Sequence, residues 1–319
     1  MKNVVFINGN GERTAHIFKE TVPPGFQAVV LSNDASDTEK AAALKTAEYL
    51  ILHPATISDD LLEQASNLKL LQLLSAGYDK INISLCKQKH LPVATNGGAN
   101  AWSVAEHSIA MLLAIYRRLV DCDKATRAGT WRKPIQEFTT FELSGKTIGI
   151  LGAGNIGQKV AQRYKAFETN ILYYNRSVSE FMERELNGKK ASLDEIVREA
   201  DILSIHLPLF KETTGLLGEK EFAKMKPNMV IINTGRAELV DQNALVTALQ
   251  QKKIMAAGLD VFDQEPVSLD NPLLNMENVL LSPHVAGHSA EGWTRRMVFA
   301  WENIQNFEVG RSLHSVVKD

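Results

Sequence analysis

Thr147-Ile148-Gly149-Ile150-Leu151 runs directly into Gly152-Ala153-Gly154-Asn155-Ile156-Gly157, and Gln158 to Ala166 follow with helical spacing. The first five residues read as a buried strand. A GxGxxG alone says little, but between an apolar strand and a helix it has the context of a dinucleotide-binding βαβ turn. There Gly152 permits the tight turn, Gly154 lets backbone approach a pyrophosphate, and Gly157 lets the helix pack close to the strand. The helix start at Asn155 and Ile156 offers backbone N–H groups and the positive end of the helix dipole to phosphates.

Downstream of this turn, strand-like runs recur at Asn170–Tyr174, Ile202–Leu207, Val230–Asn233, Ala256–Asp260 and Val279–Ser282. Upstream, Val4–Ile7, Ala28–Leu31, Tyr49–Leu52, Leu70–Leu74 and Pro92–Thr95 alternate with helix-like Asp34–Leu44 and Ser58–Ala65. Such alternation implies parallel sheets with crossover helices. Between the two series lie a long apolar helix, expected over Asn100–Val120, and a loop over Ala128–Leu143 that holds Gly129 and Pro134. The tail, Ala290–Val309, reads as helix. We expect two α/β units, with residues 99–286 inserted into a unit made of 1–98 and 287–319.

The chain has 319 residues, 45% hydrophobic and 23% charged, which excludes wholesale disorder. Lys plus Arg total 35 and Asp plus Glu 37, so the basic excess of a dedicated nucleic-acid binder is missing. Cys86 and Cys122 form neither a disulfide framework nor a zinc cluster, and fit a reducing compartment. No His/Cys cluster has metal-ligand spacing, so no metal is expected. The apolar run at the N-terminus is too short for a signal peptide, and Ile109–Ile115 is far below the ~20 residues of a spanning helix. A cytoplasmic protein without membrane or nucleic-acid partners is the expectation.

About twenty residues past the glycine motif, an NAD site carries an acid for the ribose hydroxyls. This chain has Tyr174-Asn175-Arg176-Ser177 there. A carboxylate would repel a 2′-phosphate, whereas Arg176 would pair with it and Asn175 and Ser177 suit phosphate hydrogen bonds. NADP(H) is therefore the preferred cofactor, with NAD(H) also open. Arg176 as a solvated loop charge is the competing reading.

Three further polar residues follow strands of the second unit, where open α/β sheets place ligands. They are Arg236 after Asn233-Thr234-Gly235, Glu265 before Pro266, and His284 after Ser282-Pro283. Taken singly, His284 also fits a loop histidine, His206 a packing residue and Glu265 a helix cap. His107, Asp121 and Asp201 read as structural.

Together these stretches resemble the D-isomer-specific 2-hydroxyacid dehydrogenase family, over nearly the whole chain from about Tyr49 onward. The carriers are Leu73-Leu74-Ser75-Ala76-Gly77-Tyr78-Asp79, Asn100 with Ser103-Val104-Ala105-Glu106-His107, and the glycine motif. Further carriers are His206-Leu207-Pro208 with Thr213 and Thr214, Asn233-Thr234-Gly235-Arg236, Asp260-Val261-Phe262 with Glu265-Pro266, and Ser282-Pro283-His284. The resemblance implies an α/β fold of two Rossmann-like or flavodoxin-like parallel-sheet domains. In it the dinucleotide-binding domain is inserted into the substrate domain, and catalysis takes place in the cleft.

It also implies residue roles. Arg236 would hold the substrate carboxylate, since its planar fork matches two oxygens. His284 would be the general acid in reduction and the base in oxidation. Glu265 would orient its ring and favour the protonated form. Ser75, Ala76 and Gly77 would help bind the carboxylate through backbone N–H groups. His206, Pro208, Thr213, Thr234 and Asp260 would lie on the cofactor side. The expected partners are a small 2-oxo or 2-hydroxy acid and a second copy of the chain in a homodimer, with the Ala101–Val120 helix the first candidate interface.

Some residues depart from the pattern. Phosphoglycerate dehydrogenases carry basic residues near Ile51–Thr56, where this chain has only His53, and Asp319 leaves no room for a regulatory tail domain. Both weaken a phosphoglycerate assignment, and Arg176-Ser177 looks more like the NADPH-preferring glyoxylate and hydroxypyruvate reductases. Ala286 replaces a usual glycine. Trp102 and Trp131 could close over substrate, but packing at the domain junction is the favoured reading because Trp is usually buried. An NAD-dependent phosphoglycerate dehydrogenase and a non-catalytic NAD(H)-sensing interaction protein are the alternatives.

Overall fold

The computed structural model describes residues 1–132, 136 and 139–317. Pro134, in the expected loop, lies outside them. The chain divides into two units, Met1–Asn100 with His288–Asp319, and Ala101–Gly287.

The first unit is built on β1 (Lys2–Asn8), β2 (Phe26–Ser32), β3 (Tyr49–His53), β4 (Leu70–Leu73) and β5 (Val93–Ala94), in the order β2-β1-β3-β4-β5. Every pair is parallel. The central strands are apolar at successive residues because both faces of the sheet are covered. On one face Val5, Leu50 and Leu71 pack with Leu44, Leu61 and Leu62. On the other, Val4, Phe6 and Tyr49 pack with Trp293, Met297, Trp301 and Ile304 of the C-terminal helix Ala290–Glu308. Helix α1 (Gly11–Thr21) was not expected from spacing. It buries only Thr14 and Phe18, too narrow a stripe to show a helical period. Helices α2 (Asp37–Leu44) and α3 (Asp59–Gln64) begin at Ser36 and Ser58, whose hydroxyls accept from Glu39 N and Leu61 N. A short α4 (Ile83–Gln88), also unexpected, precedes β5.

The second unit opens with a correction. The single helix expected over Asn100–Val120 is two, α5 (Ala101–Tyr116) and α6 (Leu119–Arg127). Arg118 between them has φ 52°, a left-handed conformation that no α-helix can contain. The apolar face ends at Tyr116, and Leu119 and Val120 are exposed. Before the break, Ala105, Ile109, Met111, Leu112 and Tyr116 are buried in the unit's own core. That places most of the apolar surface of α5, Trp102 excepted, inside its own unit.

The sheet of this unit has β6 (Thr147–Leu151), β7 (Asn170–Tyr174), β8 (Lys189–Lys190), β9 (Ile202–Ile205), β10 (Val230–Asn233), β11 (Ala256–Leu259) and β12 (Val279–Leu281). Their order is β12-β11-β10-β9-β6-β7-β8, all parallel. Helix α7 (Asn155–Lys165) packs with α5 over one face through Val160, Ala161 and Tyr164. The other face is covered by α8 (Leu193–Glu199) and by α10 (Gln242–Gln250), with the short α9 (Glu219–Phe222) between them in sequence. The favoured packing reading of Trp102 and Trp131 is also corrected. Their relative exposures are 42% and 70%, so neither is a buried packing residue.

Candidate active site

Because the seven strands are parallel, the loops after them share one edge. Gly152 follows β6, Asn175–Ser177 follow β7, and His206 and Pro208 follow β9. Thr234–Arg236 follow β10, Asp260 and Glu265 follow β11, and His284 follows β12. The strand order reverses between β6 and β9, the position at which open α/β sheets form a crevice for ligands.

The glycine turn is closed by contacts only hydrogen allows. Gly152 has φ +100°, and a Cβ there would sit 2.7 Å from His206 O. A Cβ at Gly157 would sit 1.8 Å from Gly152 O. Around Gly154, by contrast, a Cβ would meet nothing within 4 Å. The first turn of α7 then presents N–H groups without intrahelical acceptors. Asn175 ties this turn to the one after β7. Its Oδ1 accepts from Ala153 N at 3.4 Å and its Nδ2 donates to Ser177 O at 3.0 Å. Arg176 is exposed, and Lys190 Nζ reaches its carbonyl oxygen at 3.1 Å. Sequence reading did not single out Lys190, because only the pairing of β8 with β7 brings it there.

His206 has its Nε2 2.8 Å from Ser204 Oγ. Its Nδ1 is closed off from solvent with no hydrogen-bond partner among the described residues. Burial pushes its pKa down to about 3, so the ring is neutral. Thr213 Oγ1 accepts from Phe210 N at 2.8 Å and lies 2.9 Å from Pro208 O, closing the loop after β9. Thr234 Oγ1 is 3.0 Å from Ser108 Oγ, both buried.

Asn233 shapes the Arg236 turn, since its side chain accepts from Gly235 N at 3.0 Å and donates to Arg236 O at 2.9 Å. Arg236 Nη1 donates to Gly235 O at 2.8 Å. His284 Nδ1 is 2.7 Å from Glu265 Oε2. Asp260 is fully buried, and its carboxylate accepts from Val285 N at 2.9 Å and Ala286 N at 2.8 Å. Beside Glu265, burial and then Glu238 and Asp241 hold the Asp263 carboxyl above its usual range.

Ser75, Ala76 and Gly77 belong to the other unit and follow its β4. Ser75 Oγ donates to Gly77 O at 2.8 Å, which folds the three into a tight turn. Among the described residues no group of three or more His, Cys, Asp or Glu could hold a metal ion, and no helix is long and apolar enough to cross a membrane.

Comparison with known proteins gives this arrangement a context. Residues 109–286 match the family model for "D-isomer specific 2-hydroxyacid dehydrogenase, NAD binding domain". A glyoxylate reductase of Aeropyrum pernix is 38% identical over 295 residues, covering 91% of this chain and 85% of that protein. A D-3-phosphoglycerate dehydrogenase of Archaeoglobus fulgidus is 35% identical over 271 residues, 85% of this chain. The chain spans about half, 51%, of that protein's length. Among solved structures, an acyclic imino acid reductase in complex with NADPH and D-Arg has a TM-score of 0.85 at 28% identity. The match covers 99% of this chain and 100% of that one.

Proposed function

Since the chain belongs to the D-isomer specific 2-hydroxyacid dehydrogenase family, we propose that it reduces a small 2-oxo acid, glyoxylate or hydroxypyruvate foremost, to the D-2-hydroxy acid. The His284–Glu265 pair carries this reading, because a histidine oriented by a carboxylate is what proton delivery to a carbonyl oxygen requires. The reaction adds two electrons and a proton at C2 and another proton at the oxygen. The bound nicotinamide supplies the electrons with the hydrogen of C2.

The chain's own residues do the rest. With Nδ1–H donated to Glu265, the His284 Nε2 hands its proton to the 2-oxo oxygen. Arg236 pairs with the substrate carboxylate through its guanidinium fork. In the other unit, the turn of Ser75, Ala76 and Gly77 offers backbone N–H groups suited to a carboxylate. In the opposite direction His284 takes the hydroxyl proton.

The residues fit a dinucleotide. Gly152 and Gly157 close the turn where any Cβ would collide, while the open space around Gly154 suits a pyrophosphate against the N-terminus of α7. Asn155 and Ile156 lie in that first turn, and His206, Pro208, Thr213, Thr234 and Asp260 on the same edge take the cofactor side. NADP(H) is preferred over NAD(H). No acid follows β7, and Arg176, Lys190, Asn175 and Ser177 together offer two cations and polar groups to a 2′-phosphate.

The similarity to a phosphoglycerate dehydrogenase supports a second reading, NAD-dependent oxidation of a D-2-hydroxy acid with His284 as the base. The same proposal includes a homodimer in the cytoplasm, which light scattering of the purified protein and fractionation of cells test. The deciding experiment is the initial rate of NADPH and NADH oxidation with glyoxylate, hydroxypyruvate, pyruvate and phenylpyruvate. Fast NADPH-dependent turnover of the small acids is expected. Silence with every acid while cofactor still binds would overturn the reading.

A further inference from the structure

The turn that carries His284 is wrapped around a carboxylate from another strand. Asp260 accepts from Val285 N, from Ala286 N and, at 2.5 Å, from Ser282 Oγ. His284 itself has φ 53°, a left-handed conformation disfavoured for a residue with a β-carbon. A left-handed residue followed by successive N–H groups that converge on one point forms a concave anion-binding nest. Here the anion in the nest is the chain's own Asp260, so the carboxylate holds the backbone of His284 in a conformation it would not adopt alone.

The support extends one layer further. Ser282 has one hydroxyl proton and gives it to Asp260. Its oxygen therefore accepts from His107 Nε2–H at 2.9 Å. That nitrogen is also 3.7 Å from Asp260 Oδ1, the oxygen that accepts from Ser282 Oγ and Val285 N, so His107 and Ser282 both meet the carboxylate at the atom that holds the turn. His107 comes from α5, 175 residues before Ser282.

We propose that His107 and Ser282, acting through Asp260, are positioning residues for His284. They fix the left-handed turn and thereby the approach of the ring to Glu265 and to the reacting oxygen. Neither is placed against substrate or cofactor. The inference rests on the reading of His284 as the proton donor.

The test uses the full-length chain, with NADPH and glyoxylate as probes, and Ser282→Ala, Ser282→Thr and His107→Asn as variants. A misplaced proton donor lowers turnover without lowering affinity. Ser282→Ala should lose roughly ten- to a hundredfold in kcat, with KM for glyoxylate and Kd for NADPH within about twofold of wild type. Ser282→Thr, which keeps the hydroxyl, should recover most of the loss. Deuterium exchange at Val285 and Ala286, read by mass spectrometry without substrate, should speed up about tenfold in Ser282→Ala. If that variant does not fold, His107→Asn carries the same test, since Ser282 and Asp260 stay in place. Unchanged exchange overturns the inference whatever the activity, and so does faster exchange with wild-type kcat. A wild-type enzyme silent on every 2-oxo acid would instead overturn the proposed reaction.

Discussion

The Nδ1 of His284 and the Oε2 of Glu265 stand 2.7 Å apart, although the two side chains come from loops after different strands. The other carboxylate oxygen, Oε1, accepts from Phe262 N at 3.1 Å. Glu265 is thus anchored to its own loop at one oxygen and offers the second to the ring. A carboxylate only accepts, so the proton on that side belongs to Nδ1, and Nε2 is the nitrogen left for chemistry.

Replacing His284 by Ala should lower kcat by roughly 10²- to 10⁴-fold, the usual worth of a positioned acid. NADPH binding, followed by nucleotide fluorescence, should be unchanged. Wild-type-like turnover in this variant would remove His284 from proton transfer.

Glu265→Gln keeps an acceptor for Nδ1–H but removes the charge. Charge-assisted hydrogen bonds exceed neutral ones by ~1–1.5 kcal/mol, so kcat should drop about tenfold. Steady-state kinetics at saturating NADPH check this, and a loss confined to KM would argue for a substrate contact instead.

Arg176→Ala should weaken NADPH binding roughly 10- to 100-fold and leave NADH nearly untouched. Lys190→Ala should act in the same direction, since its ammonium already lies against the same turn. Calorimetric titration with both nucleotides separates the cases. Equal losses for the two would take these cations out of the phosphate site.

Gly157→Ala places a methyl group 1.8 Å from Gly152 O. The atom it meets is backbone, so α7 must move away from the turn, at a cost of about 1–3 kcal/mol in stability. Denaturant titration and nucleotide binding should both register the change. The same substitution at Gly154, where nothing lies close, should spare stability and affect nucleotide binding alone.

Stability should fall in mild acid because of His206. Burial lowers its pKa from 6.5 to about 3 in the folded chain. Between those values the unfolded chain holds a proton that the folded chain does not. The stabilisation is therefore complete above about 6.5 and declines as pH falls through that window, by at most ~1.4 kcal/mol per pH unit. His206→Gln should flatten the dependence in urea titrations run from about pH 7 down to about pH 5.

The elements most legible in the sequence were those whose residue types are dictated locally. The glycine turn is one, because steric collision at Gly152 and Gly157 leaves no alternative residue. The central strands are another, being apolar at each successive position. The break at Arg118 was not legible, since neither glycine nor proline marks it and apolar residues continue past it to Leu119 and Val120. Lys190 and the Asp260 clamp were hidden for a different reason. Lys190 reaches Arg176 only through strand pairing. Asp260 could be read as an acid near the site, but not as the anion held by two N–H groups from the next loop. The two tryptophans misled because an average tendency to burial says nothing about a particular helix face or loop.

The second unit is one uninterrupted stretch of chain, whereas the first takes its sheet from the beginning and a covering helix from the end. During synthesis, residues 101–287 are all available to fold before Trp293, Met297, Trp301 and Ile304 have been made. Until then one face of the earlier sheet, with Val4, Phe6, Tyr49 and Leu70, has Phe18 of α1 against it but lacks the C-terminal helix that completes its cover. The sheet of the first unit is thus made before the second unit but completes its packing after it, and the nascent chain carries a partly covered apolar face until Ala290–Glu308 emerge.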